Sequence, residues 1–140
     1  MSKTFNIWKI YPTEEQFKTE EQLSKGCFNW FDKKYGEELR GALYLNFMNP
    51  KDAKETNRLK AQGLRKGLPD MTLALPLFAR RLAGLYIELK LSEGGKVSAD
   101  QTKQMRKLDS LGYCCEIVCS LKHFQELVEA WVEEFDRDNL

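Results

Sequence analysis

Asp70-Met71-Thr72-Leu73-Ala74-Leu75 and Leu85-Tyr86-Ile87-Glu88-Leu89-Lys90-Leu91 are the two stretches on which the reading of this chain turns. Both alternate with the period of two that marks a β-strand with one buried face. In the first, Asp70, Thr72 and Ala74 share a face, with Met71, Leu73 and Leu75 on the other. In the second, Tyr86, Glu88 and Lys90 stand opposite Ile87, Leu89 and Leu91. Gly63 and Gly67-Leu68-Pro69 mark a loop before the first strand. The connection from Pro76 to Gly84 carries Arg80 and Arg81 near its tip.

Upstream, two helix starts compete. Thr13 with Gln16 and Thr19 with Gln22 both fit the pattern of a cap and its reciprocal partner. Either helix runs to about Tyr35 and stops near Gly36. A short strand is expected over Leu43-Tyr44-Leu45-Asn46-Phe47, broken by Asn49-Pro50, and a basic helix from Asp52 to about Gln62. Downstream, Ser98 caps a helix that ends at Gly112, Tyr113 to Cys119 reads as a buried strand, and an amphipathic helix runs from about Leu121 to Phe135. The fold class expected is α/β, a mixed central sheet flanked by helices.

The 140 residues, 42% hydrophobic and 31% charged, suit one domain with its own core. No apolar run reaches the ~20 residues of a membrane span, and the N-terminus lacks a secretory leader. A soluble intracellular protein is therefore expected. The net charge of +1 conceals an uneven distribution. Lys51, Lys54, Arg58, Lys60, Arg65 and Lys66 crowd one segment, while the C-terminal helix carries Glu126, Glu129, Glu133, Glu134, Asp136 and Asp138. Either group is also what an ordinary solvated helix face looks like.

The strand pair supplies the candidate chemistry. A metal ion that activates water against a phosphodiester needs hard oxygen ligands and profits from a nearby cation. Glu88 and Lys90, two apart on a strand, share a face about 7 Å apart. The Leu89 backbone carbonyl is a further candidate ligand, and Asp70 opens the neighbouring strand. Taken singly, Pro-Asp is a common turn element and Glu-x-Lys a common charge pattern on strands. On the first helix, Phe17, Cys27, Phe28, Phe31 and Tyr35 fall on one side, and Glu20 lies within that stripe. A carboxylate there must be paired, protonated or metal-bound. Gln101 stands on the inward face of its helix, one turn before Met105, where it serves as a capping-box partner of Ser98 or as a site residue. Cys115, Cys119 and His123 recur at four-residue intervals. Cys115 falls on a strand, however, where that interval does not converge, so buried cysteines are expected rather than zinc ligands.

Gly67-Leu68-Pro69-Asp70, Tyr86-Ile87-Glu88-Leu89-Lys90, Gly95-Lys96-x-Ser98-x-x-Gln101 and Leu108-x-x-x-Gly112-Tyr113 together resemble the VRR-NUC (virus-type replication-repair nuclease) domain of the PD-(D/E)xK superfamily. The likeness covers about residues 19–140 of a single domain 1–140, leaving 1–18 as an N-terminal extension. It implies a restriction-endonuclease-like core and a Mg²⁺- or Mn²⁺-dependent nuclease without a small-molecule cofactor. Asp70 and Glu88 match the metal-binding carboxylates, Lys90 the catalytic lysine, Gln101 the glutamine of the following helix and Glu20 the glutamate of the first helix. Ser24 stands where that helix usually has a glutamine. Stand-alone members of this size are typical of phages and bacteria. They imply a cytoplasmic homodimer (in the host cytoplasm for a phage protein) acting on branched DNA such as four-way junctions. Flaps, linear DNA or RNA are the alternative substrates, and an inert DNA-binding module of the same fold is the alternative class.

Overall fold

The computed structural model describes residue 8 and residues 17–46, 50–91 and 95–139. The earlier helix start at Thr13 and the Phe47 end of the first strand lie outside these residues. The elements run α1 (Glu20–Leu39), β1 (Leu43–Leu45), α2 (Ala53–Ala61), β2 (Met71–Leu73), a 3-10 turn (Phe78–Arg80), β3 (Leu85–Leu89), α3 (Ala99–Ser110), β4 (Cys114–Val118) and α4 (Leu121–Asp138).

Each helix starts where a short polar side chain can take up a free backbone N–H. Thr19, Asp52, Ser98 and Ser120 accept from the amides of Gln22, Glu55, Gln101 and His123 at 2.8–3.1 Å. Helix α1 therefore begins at the second of the two candidate caps. Phe17 precedes it, rather than sitting on its stripe, and packs back near Gly26. Gly36 interrupts the helix as expected. At φ 59° and ψ −148° it leaves helical space, and one more turn carries the chain to Leu39.

The four strands are ordered β1-β2-β3-β4. β1 and β3 both run antiparallel to β2, while β4 is parallel to β3. A parallel neighbour requires a crossover, and α3 makes it. Helices α1 and α4 cover one face of this mixed sheet. There Leu23, Cys27 and Phe31 of α1 and Phe124, Val128, Trp131 and Val132 of α4 bury Met71, Leu73, Leu85, Ile87 and Leu89. Helix α3 covers the other face, where Met105 and Leu108 meet Cys115 and Ile117, with Trp8, Tyr86 and Tyr113 packed alongside. Trp8 donates from its indole N–H to the Cys115 carbonyl at 2.9 Å, so its side chain lies on the α3 side. Cys115 and Cys119 belong to the same apolar cluster, and the four cysteines are free thiols.

β2 and β3 are shorter than their polarity patterns suggest. All three β2 residues are buried, Thr72 included, because its hydroxyl donates to the Asn46 side chain at 2.8 Å. The polar face is thus covered rather than solvated. Helix α2 is the exception to the packing, for none of its residues is buried. Among the described residues no helix is long and apolar enough to cross a membrane.

Phe124 is fully buried and meets Trp30 of α1 edge-on at 5.8 Å. Phe124→Ala should cost about 3–5 kcal/mol in urea unfolding, with an unchanged denaturant slope, since it opens a cavity between both helices and the sheet.

Candidate active site

Antiparallel pairing of Met71 with Ile87 brings the start of β2 beside the end of β3. Asp70, just before β2, therefore lies next to Glu88 and Leu89. Its Oδ2 accepts from the Leu89 backbone N–H at 2.7 Å. Glu88 shares the sheet face of Tyr86 and Lys90, as alternation requires. That face lies under α3, which leaves Glu88 only 4% exposed.

Gln101 is drawn into the same group. Its Nε2 donates to Glu88 Oε1 at 2.8 Å, while its Oε1 accepts from the Ser98 N–H at 2.9 Å. The capping role and the site role use different atoms of one amide, so they coexist. Lys90 Nζ stands 3.9 Å from the same Glu88 oxygen, with its side chain only 13% exposed. Glu88 Oε2 is buried and has no hydrogen-bond donor among the described residues.

Burial and the Asp70 charge beside it push Glu88 up to about 8, a rise that Lys90 opposes and Glu20 adds to. Asp70 is raised as well, chiefly by burial, against the pull of the Leu89 N–H and Lys90. Glu20 opens α1 at the same end of the sheet. It lies on the side of Leu23, Cys27 and Phe31, one helical turn beyond the buried part of the stripe, so its carboxylate is exposed rather than enclosed. Partial burial still raises it, Lys90 lowers it and Asp70 raises it further. Among the described residues no group of three His, Cys, Asp or Glu converges on one metal position. The tight core is the pair Asp70 and Glu88, with Glu20 at its mouth.

Two carboxylates packed together in a low-dielectric site need either a shared proton or a cation between them. The donors present are hard oxygens, and one of them is orphaned. This set suits Mg²⁺ or Mn²⁺ and is poor for softer, thiolate-seeking metals.

Asn46 has no signal in periodicity or motif, yet it fixes Asp70. Its side-chain amide donates to the Pro69 carbonyl at 2.9 Å and its backbone N–H to the Asp70 carbonyl at 2.8 Å. Gly67 reads in the sequence as a loop marker, with no sign of its close approach to α3. Its φ is +83°, and an added Cβ would fall 2.4 Å from the Asp100 carbonyl at the start of α3. Arg80 and Arg81, by contrast, lie at the opposite end of the β2–β3 hairpin. Arg80 pairs there with Glu134 of α4 at 3.5 Å.

In the comparisons with known proteins, a solved structure described as a VRR_NUC domain protein superposes with a TM-score of 0.70 at 18% identity, over 85% of this chain and 92% of that one. No family model matches the chain, and no curated protein does. The chain thus has the fold of a VRR_NUC domain, a mixed α/β sheet with flanking helices.

Glu88→Gln keeps the acceptor for Gln101 and gives Asp70 an N–H in place of a second charge. In chelator at pH 8 the variant should melt about 3–6 °C above the wild type, equivalent to a gain on the order of 1 kcal/mol. Calorimetry checks this, and an equal or lower melting temperature would show that the carboxylate carries no burial penalty.

Proposed function

We propose that this protein is a metal-dependent DNA endonuclease that hydrolyses phosphodiester bonds and selects branched DNA, working as a homodimer. The observation that carries the reading is the buried Glu88, with one oxygen that has no donor among the described residues, set beside the half-buried Asp70 on a VRR_NUC fold. Supporting it are Lys90 at the same carboxylate and the basic residues of α2 and the loop after it.

Asp70, Glu88 and the Leu89 carbonyl would hold Mg²⁺ or Mn²⁺, with Glu20 beside them. When bound, such an ion polarises the phosphoryl oxygen and makes its water more acidic. Leu89 N–H and Asn46 keep Asp70 oriented toward Glu88. Gln101 occupies one oxygen of Glu88, and the other has no donor among the described residues. Lys90 Nζ donates hydrogen bonds, orienting the attacking water and offsetting charge that develops on the phosphate. Glu20 adds negative charge at the mouth, which favours a divalent ion there. Branch selectivity and dimerisation rest on the resemblance of this chain to stand-alone VRR-NUC domains.

Labelled four-way junctions, flaps, linear duplex, single strands and RNA, incubated with Mg²⁺, Mn²⁺ or chelator, test the proposal. Cleavage should require metal and be greatest on a branched substrate. Glu88→Ala and Lys90→Ala should each lose about a hundredfold or more, and Gln101→Ala about 10- to 100-fold, as groups that orient ligands do. Metal-dependent cutting that survives Glu88→Ala and Lys90→Ala would sink the site. Binding without cutting, across all substrates, would leave an inert DNA-binding module.

A further inference from the structure

Beside the carboxylate site lies a cavity of about 250 Å³ that the chemistry above does not use. Its lining includes Pro50, Thr56, Leu64 and Leu68, all half-buried, and Lys60 and Arg65, both exposed. It exists because α2 buries none of its residues and stands away from the sheet layers. Lys66, also on the lining, is turned to Asp100 at 3.3 Å. Lys60 and Arg65 have no acidic partner among the described residues.

The cavity is fastened to the candidate active site in two places. Leu68 precedes Asp70 by two residues, about 7 Å of chain at most, and Asn46 pins the intervening Pro69. Gly67 lies against the Asp100 carbonyl so closely that no side chain fits between them. The next residue of that helical turn is Gln101, which holds Glu88. A ligand in the cavity would therefore sit at a defined distance from Asp70 and Glu88.

We propose that this cavity receives one unpaired nucleobase of the DNA strand, within a nucleotide or two of the reacting phosphate. This rests on the nuclease reading for the position of that phosphate. At about 250 Å³ the cavity is smaller than the ~300–1,000 Å³ of typical small-molecule sites, which suits a single flat ring system rather than a larger ligand. The apolar surfaces of Pro50, Leu64 and Leu68 suit the π-face of a base. The cations Lys60 and Arg65 suit the phosphates on either side, and a guanidinium can also stack on the ring. A base within a duplex is paired and stacked, so it enters only at the cost of unpairing and unstacking. An unpaired nucleotide at a branch, gap or end enters without that cost. The pocket is thus a way to read strand structure rather than sequence.

Binding in chelator separates this from catalysis. Fluorescence anisotropy would be followed on a forked duplex whose single-stranded arms carry one abasic nucleotide at successive positions. Affinity should fall about tenfold at one position near the fork, the size expected for losing a stacked base. Thr56→Trp, which fills the cavity, should remove that dependence while leaving affinity for the abasic fork within about twofold. Leu64→Phe serves the same purpose should the tryptophan variant not fold. Arg65→Ala, an exposed change, should weaken every fork and lower the salt slope by about one.

No abasic position that matters, or a folded Thr56→Trp protein that keeps the dependence, would overturn the proposal. So would a change in sedimentation of the filled variant alone with no change in DNA binding, which would assign the cavity to a second copy of the chain. Position dependence without any cleavage by the wild type would support the pocket and sink the nuclease reading. Metal-dependent cleavage without position dependence would overturn the pocket alone.

Discussion

Glu88 is an acid placed where an acid does not belong. One of its oxygens is held by Gln101, the other has no donor among the described residues, and Asp70 lies beside it. Much of the structure serves to enforce that placement. Antiparallel pairing of β2 with β3 sets Asp70 against Leu89, and the parallel addition of β4 forces the α3 crossover over the same face. Helix α3 supplies the cover that makes Glu88 buried and the amide that keeps it oriented. A site that stores unfavourable electrostatics in this way is relieved by a proton or a cation.

The support around this pair is built from backbone groups and small residues rather than from further charges. Leu89 N–H, Asn46 and the Gly67 contact with Asp100 each restrict a different neighbour of the two carboxylates. None of them adds a formal charge, so they fix geometry without neutralising the site. Gln101 shows the same economy. One amide closes the start of α3 and orients Glu88 with its two different ends.

The charges far from the site divide by element. The acidic helix α4 packs on the sheet face away from α3 and takes Arg80 as a partner through Glu134. The basic helix α2 packs little and leaves an open cavity with Lys60 and Arg65 on its lining. A net charge near zero is thus compatible with a strongly cationic surface on the loop that leads to Asp70.

Period-two alternation exposed Glu88 and Lys90 as neighbours on one face, and capping residues placed Ser98 and Gln101 at a helix start, because both signals are local. The same locality let Gly36 and the order of elements be read in advance, and the VRR-NUC resemblance followed from motif order. Local signals could not choose between Thr13 and Thr19 as a cap, nor reveal that Phe17 precedes α1. Glu20 looked enclosed because a wheel has no ends, whereas the real helix begins there and opens to solvent. The covering of Thr72, the grip of Asn46 on Pro69, the close approach of Gly67 to α3 and the cavity beneath α2 depend on residues distant in sequence. The chain determined which groups could do chemistry. Only the packing of α3 across β3 and β4 decided that one of them would be buried, since burial is a property of what lies above a strand and not of the strand itself.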